Sequence, residues 1–142
     1  MECTVRWMAN DAGMSFVAET GSGHAVVMDG APEAGGRNLG PRPMELVLAG
    51  TGGCSAFDVV LILKRSRQAV TACDVSLTAE RAETDPKVFT HIHFHYRVKG
   101  NQLKADAVAR AIELSKDKYC SASIMIAKTA EITYDFEIIE EV

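Results

Sequence analysis

The stretch AGTGGCSAFDVVLILKR, residues 49 to 65, sets a cysteine directly after a glycine pair and at the mouth of an apolar run. A thiol so placed is either a small core side chain or a nucleophile kept accessible for redox chemistry. The small neighbours Gly50, Gly52, Gly53, Ser55 and Ala56 leave room beside Cys54 for a substrate to approach. Cys120 stands before Ser121 at the start of a predicted short helix, where unpaired backbone N–H groups lower a thiol's pKa. Asp58, one helical turn after Cys54, works in the opposite direction, because a nearby negative charge disfavours a thiolate. Cys3 and Cys73 fall on the apolar sides of predicted strands and read as structural. For Cys54 and Cys120 the residues alone leave both readings open, core filling being the leading one.

Other chemistries fit less well. No two of the four cysteines are near neighbours, which excludes a disulfide-dense scaffold and the usual zinc spacing. His91, His93 and His95 alternate along VFTHIHFHYRVK and on a strand would project from one face about 7 Å apart. No carboxylate or cysteine adjoins them in sequence, and Arg97 continues the same face. They read as the polar face of a half-exposed strand, and no metal is expected. The glycines of AGTGG lack the Gly-Lys-Ser/Thr of a phosphate loop and follow a helix, not a strand. Close helix packing is their simpler use.

Several elements must position these groups. Residues 2 to 8, 14 to 19 and 24 to 28 read as short strands, with turns at Asp11-Ala12-Gly13, Gly21-Ser22-Gly23 and Asp29-Gly30. The loop GAPEAGGRNLGPRP follows, and an irregular stretch of that length is usually functional or mobile. From Pro43 to about Arg67 the pattern predicts a long helix, with Pro43 in its first turn. Two apolar stripes, Val47-Gly50-Cys54-Phe57-Leu61 and Leu46-Gly53-Ala56-Val60-Leu63, leave only a polar line through Thr51, Asp58 and Arg65. Such a helix is expected to be buried on most sides. A second subunit would cover part of it, with some irregularity at the glycines.

The period then changes to two. Residues 71 to 83 and 88 to 99 form a predicted hairpin that turns at Asp85-Pro86, with Ile92, Phe94, Tyr96 and Val98 on the apolar face. Asn101 would cap an amphipathic helix reaching about Lys116 and burying Leu103, Ala107, Val108, Ala111, Ile112 and Leu114. A short helix follows Cys120, and a last strand buries Ile132, Tyr134, Phe136 and Ile138. The class is α+β.

A length of 142 residues points to a single domain, 1–142. The net charge of −4 argues against nucleic-acid binding. No apolar run approaches the ~18 residues of a membrane span. The N-terminus MECTVRWMAND has no signal-peptide core, so a cytoplasmic protein is expected.

The arrangement PMELVLAGTGGCSAFDV, followed by KDKYCSASIMIAKTAEITYDFEI, resembles the OsmC/Ohr family, in particular its small YhfA-like branch. The resemblance covers nearly the whole chain. It implies an α+β fold in which antiparallel sheets wrap long buried central helices in an intertwined homodimer. Family members with known activity are thiol peroxidases that reduce organic hydroperoxides. By that likeness Cys54 matches the peroxidatic cysteine and Cys120 the resolving one, with an external dithiol as reductant and no cofactor. Met44, Val47 and Phe57 would line a pocket for a small apolar hydroperoxide.

The chain departs from the pattern at the helix start. The family's glutamate position holds Met44, and Glu45 comes one residue late, a rotation of about 100° on a helix. Arg37 and Arg42 lie in the loop that carries the family's thiolate-stabilising arginine, though neither matches its position cleanly. A competing expectation is therefore an OsmC-like dimer that binds a small apolar molecule or senses redox state without turnover.

Overall fold

The computed structural model describes residues 1–8 and 13–141. Of the expected first turn, Asp11 and Ala12 lie outside those residues. Internal contacts divide the chain into two units, Met1–Val47 and Leu48–Val142.

The first unit is an antiparallel meander of β1 (Cys3–Trp7), β2 (Ser15–Thr20) and β3 (Ala25–Asp29), in that order across the sheet. Every residue of β1 is exposed, Cys3 included. The alternation that assigned Cys3 to a core is thus corrected: β1 is an edge strand whose alternation buries neither set of residues. The long loop after β3 is tied down by one buried carboxylate. Asp29 accepts backbone N–H groups from Gly30 (2.8 Å), Arg37 (2.9 Å) and Leu39 (3.1 Å). The Leu39 and Arg37 donors hold its pKa below the usual carboxylate value.

Helix α1 (Pro43–Arg65) runs unbroken through the glycines, without the irregularity expected there. The buried face also differs from expectation. Thr51, Gly52, Ser55, Val59 and Leu63 are buried, whereas Val47 is 44% and Phe57 67% exposed. Small side chains on this face let the helix lie close to a strand: a Cβ on Gly52 would stand 2.6 Å from Leu77 Cδ1. Gly50 and Gly53 have nothing within 4 Å of such a position, so close packing inside the chain explains only one of the three. By length and composition alone α1 qualifies as a membrane span, its mean hydropathy reaching 1.9, which corrects the expectation that no segment does so.

In the second unit the strands β4 (Ala69–Arg81), β5 (Phe89–Asn101) and β6 (Glu131–Glu140) form a sheet in the order β4-β5-β6. β4 and β5 are the expected antiparallel hairpin, with Cys73 opposite Val98. β5 and β6 run parallel, with His91 opposite Glu131, so this sheet is mixed and not wholly antiparallel. A crossover accounts for it, since the chain between these strands is helical. The crossover comprises α2 (Ala105–Leu114), a π turn (Ser115–Tyr119) and α3 (Ser121–Ile126).

The core is the expected face of β5, Ile92, Phe94, Tyr96 and Val98, together with Val59 and Leu63 of α1 and Val108, Ala111 and Ile112 of α2. The capping role expected of Asn101 is corrected: it is the last residue of β5, and α2 starts after Lys104, whose N–H is taken by the Gln68 side chain at 3.0 Å. Leu103 therefore precedes the helix, and the alternate apolar residues of β6 are half-buried. The described residues form an α+β fold with two sheets and three α-helices.

Candidate functional site

Cys54 and Asp58 are one turn apart on α1, so their side chains share a face. The third member arrives by way of the crossover. Where α2 would continue, the chain widens into the π turn, closed by the Cys120 N–H donating to the Ser115 carbonyl at 2.8 Å. Single π turns of this kind recur at functional sites. This one swings Cys120 inward to become the N-cap of α3, its sulfur accepting from Ser123 N–H (3.4 Å) and Ser123 Oγ (3.1 Å). One sulfur each from Cys54 and Cys120 and a carboxylate oxygen of Asp58 then lie within 4.8 Å of one another. Cys120 is fully buried, and the other two are half-buried.

A buried chain of hydrogen bonds supports this cluster from below. Tyr96 OH and Ser55 Oγ are 2.7 Å apart, Ser55 Oγ and Ser115 Oγ 3.0 Å, and Ser115 Oγ donates to Asp58 Oδ2 at 3.3 Å. Burial pushes the Tyr96 phenol up to about 12, against the Ser55 hydrogen bond. Tyr96→Phe leaves this network one partner short inside the core, and a loss of about 1–2 kcal/mol is expected in urea denaturation.

The electrostatics revise the ranking of the thiols. Burial pushes the Cys120 thiol up, outweighing the two Ser123 hydrogen bonds that lower it. The advantage that the helix start promised Cys120 is thereby overturned. Cys73, half-buried on β4, is pushed up to about 11 by burial and by Asp74, as befits a structural thiol.

The remaining site candidates fall in different places. Arg37, Arg42, Met44, Glu45 and Val47 belong to the first unit. Glu45 accepts the Arg42 N–H at 2.9 Å, an N-terminal cap that gives this carboxylate a local use. Phe57, in the second unit, lines an open hollow of about 340 Å³ with Ala56, Val60, Leu61 and Lys64. A different cavity of about 260 Å³ reaches the cysteine cluster, through Asp58, and is walled by Leu61, Ile62, Arg65, Leu114 and Tyr119. The sequence reading missed the supporting serines. Ser55 stood out only as a small neighbour, and the polar run Ser115-Lys116-Asp117-Lys118 carries no signal of a π turn.

The histidines line the outer face of the second sheet. His91 Nε2 and His93 Nδ1 meet Thr133 Oγ1 at 3.1 and 2.8 Å, and His93 Nε2 and His95 Nδ1 meet Asp135 Oδ1 at 3.2 and 2.7 Å. The Asp135 hydrogen bond raises the pKa of His95 above 6.5, and the His95 hydrogen bond lowers that of Asp135 below 3.8. The two shifts fix the sign of the pH effect. The histidine's contribution to stability is complete below pH 6.5 and is lost as pH rises through its raised folded value. That of the aspartate is complete above pH 3.8 and is lost as pH falls through its lowered one. Asp135→Asn should accordingly reduce the urea midpoint more at mildly acidic pH, between those two limits, than in an alkaline buffer.

The family model described as OsmC-like protein matches residues 35–135. The chain is 47% identical over 139 residues to Protein YhfA of Escherichia coli (strain K12), covering 98% of each. It shares a fold with a hypothetical protein from Aquifex aeolicus VF5 (TM-score 0.83, 29% identity, 99% of this chain and 97% of that one). An organic hydroperoxide resistance protein from Elizabethkingia anophelis gives a TM-score of 0.70 at 14% identity, over 96% of this chain and 94% of that one, a likeness of fold alone. The matched segment contains α1, the crossover and both cysteines they bring together, and on these grounds the chain belongs to the OsmC family.

Proposed function

We propose that this chain is a cytoplasmic, homodimeric thiol peroxidase that reduces organic hydroperoxides in defence against oxidative stress, with Cys54 and Cys120 as its redox pair. The observation that carries the reading is the approach of the two sulfurs to within 4.8 Å, a gap that side-chain rotation closes to a disulfide. The half-buried Cys54 takes the first step. Its sulfur attacks a peroxide oxygen, the O–O bond breaks, and the thiol proton leaves with the alcohol, giving a sulfenic acid. The Cys120 sulfur then attacks the Cys54 sulfur, and the hydroxyl departs with the Cys120 proton as water, leaving a disulfide. An external dithiol returns two electrons and two protons and is itself oxidised. No cofactor is required.

The cavity beside Asp58, with Leu61, Ile62, Leu114 and Tyr119 in its wall, suits an alkyl hydroperoxide better than hydrogen peroxide. Exposed Phe57 and the open positions at Gly50 and Gly53 support a second subunit against α1. One observation favours a second reading, a redox sensor without turnover. The Cys120 thiol, which would have to resolve a sulfenic acid on Cys54, is fully buried and pushed up by that burial.

Dithiol-dependent consumption of cumene hydroperoxide by purified protein tests the proposal. Repeated turnover per subunit supports the peroxidase. A single equivalent consumed, with no further cycle on adding dithiol, selects the sensor.

A further inference from the structure

The cysteine cluster has the makings of a metal site as well as of a disulfide. Two sulfurs and a carboxylate oxygen within 4.8 Å of one another form a Cys₂Asp donor set. Among the described residues, no other three His, Cys, Asp or Glu side chains bring their ligand atoms so close. The histidine row does not qualify, its ring nitrogens being spread along the sheet and engaged by Thr133 and Asp135. Three protein ligands leave a fourth tetrahedral position to water. Around zinc at about 2.3 Å to sulfur and 2.0 Å to oxygen, such donors stand roughly 3.5–3.8 Å apart. An inward movement of about 1 Å, within the reach of side-chain rotation, would complete that geometry.

The surroundings fit such an ion. Ser115 Oγ holds Asp58 Oδ2 and leaves the other carboxylate oxygen for coordination, while Ser55 and Tyr96 hold Ser115 in turn. At Cys120 the Ser123 N–H and hydroxyl both point at the sulfur, donors suited to a thiolate ligand. A cavity of about 260 Å³ is bordered by Asp58, the carboxylate of the set.

We infer that the reduced protein binds one thiophilic divalent cation, zinc being the best fit, through Cys54, Cys120 and Asp58. On binding, the two thiols release two protons and two S–metal bonds form, with no change of oxidation state. Bound metal and the Cys54–Cys120 disulfide exclude each other, because both use the same two sulfurs. Zinc therefore withholds the thiols from oxidants, and oxidation of the pair expels zinc. Metal binding needs no peroxide turnover, so failure of either reading leaves the other standing.

Anaerobic titration of the reduced full chain with Co²⁺ tests the inference, since thiolate coordination gives a sulfur-to-cobalt charge-transfer band. One equivalent per chain is expected, displaced by Zn²⁺. The band should disappear in Cys54→Ser and in Cys120→Ser and persist in Cys73→Ser. Ser115→Ala, which removes the hydrogen bonds to both Asp58 and Ser55, should weaken Zn²⁺ binding by about tenfold or more. Should a cysteine variant misfold, alkylation of the wild-type protein mapped by peptide mass gives the same answer. One equivalent of Zn²⁺ should then protect Cys54, the half-buried ligand, and leave the exposed Cys3 reactive. Absence of the band at stoichiometric cobalt, its persistence without either site cysteine, or alkylation of Cys54 indifferent to zinc overturns the inference.

Discussion

Replacing Cys54 by serine is expected to abolish dithiol-dependent reduction of cumene hydroperoxide, a loss of about a thousandfold or more, as befits removal of a nucleophile. Cys54 is the half-buried partner in a pair whose other thiol is fully buried and pushed up by that burial. On the proposed function the first attack therefore falls to Cys54, with Cys120 answering from inside. Cys120→Ser should separate the two steps. A single equivalent of hydroperoxide still oxidises Cys54, the sulfenic acid persists long enough to be trapped by a dione, and turnover collapses. Cys73→Ser should change neither step, because that thiol is pushed up to about 11 and lies on β4, outside the cluster of Cys54, Asp58 and Cys120. Peroxide-consumption kinetics with each variant, alongside sulfenic-acid trapping, check all three.

The largest expected effect on stability lies directly beneath the site. Phe94 is 2% exposed and stacks on Tyr96 with ring centroids 6.0 Å apart. It also borders a narrow cleft with Ser55, in the middle of α1, and with Ser123, Ile132 and Tyr134. Phe94→Ala should cost about 3–5 kcal/mol, the lost transfer energy plus an unfilled cavity. A urea titration would show a lower midpoint with an unchanged slope. Phe94→Leu keeps most of the volume and should cost markedly less.

How far the sequence revealed this arrangement depended on the kind of signal each element carries. The alternation in β5 was decisive because one face is wholly apolar and the other carries three histidines and an arginine. A slip of one residue would exchange them. Helix α1 was equally legible in extent, but its faces were not. A helix with apolar residues nearly all round does not announce which side meets its own sheet. The side that does so carries Thr51, Gly52 and Ser55, small enough for close approach, beside the core residues Val59 and Leu63. Asn101 misled because a good capping residue also suits the end of a strand, and the following Gln102 adopts a φ of 50° that turns the chain before the helix starts.

For the site, the two cysteines could be named from family-like contexts, but their closeness depends on the π turn. A π turn adds one residue to a helical turn and leaves no distinctive composition behind. The link from Tyr96 through Ser55 and Ser115 to Asp58 was hidden for a related reason. Its successive links join residues 41, 60 and 57 positions apart along the chain, and each member looks like an ordinary core or surface residue alone.

The most direct test of the central claim is anaerobic oxidation of the fully reduced protein by one equivalent of cumene hydroperoxide, read by intact mass and disulfide mapping. Rapid loss of two hydrogens, with the new bond between Cys54 and Cys120, is the predicted result. Unchanged mass, or oxidation confined to Cys3 or Cys73, would contradict it.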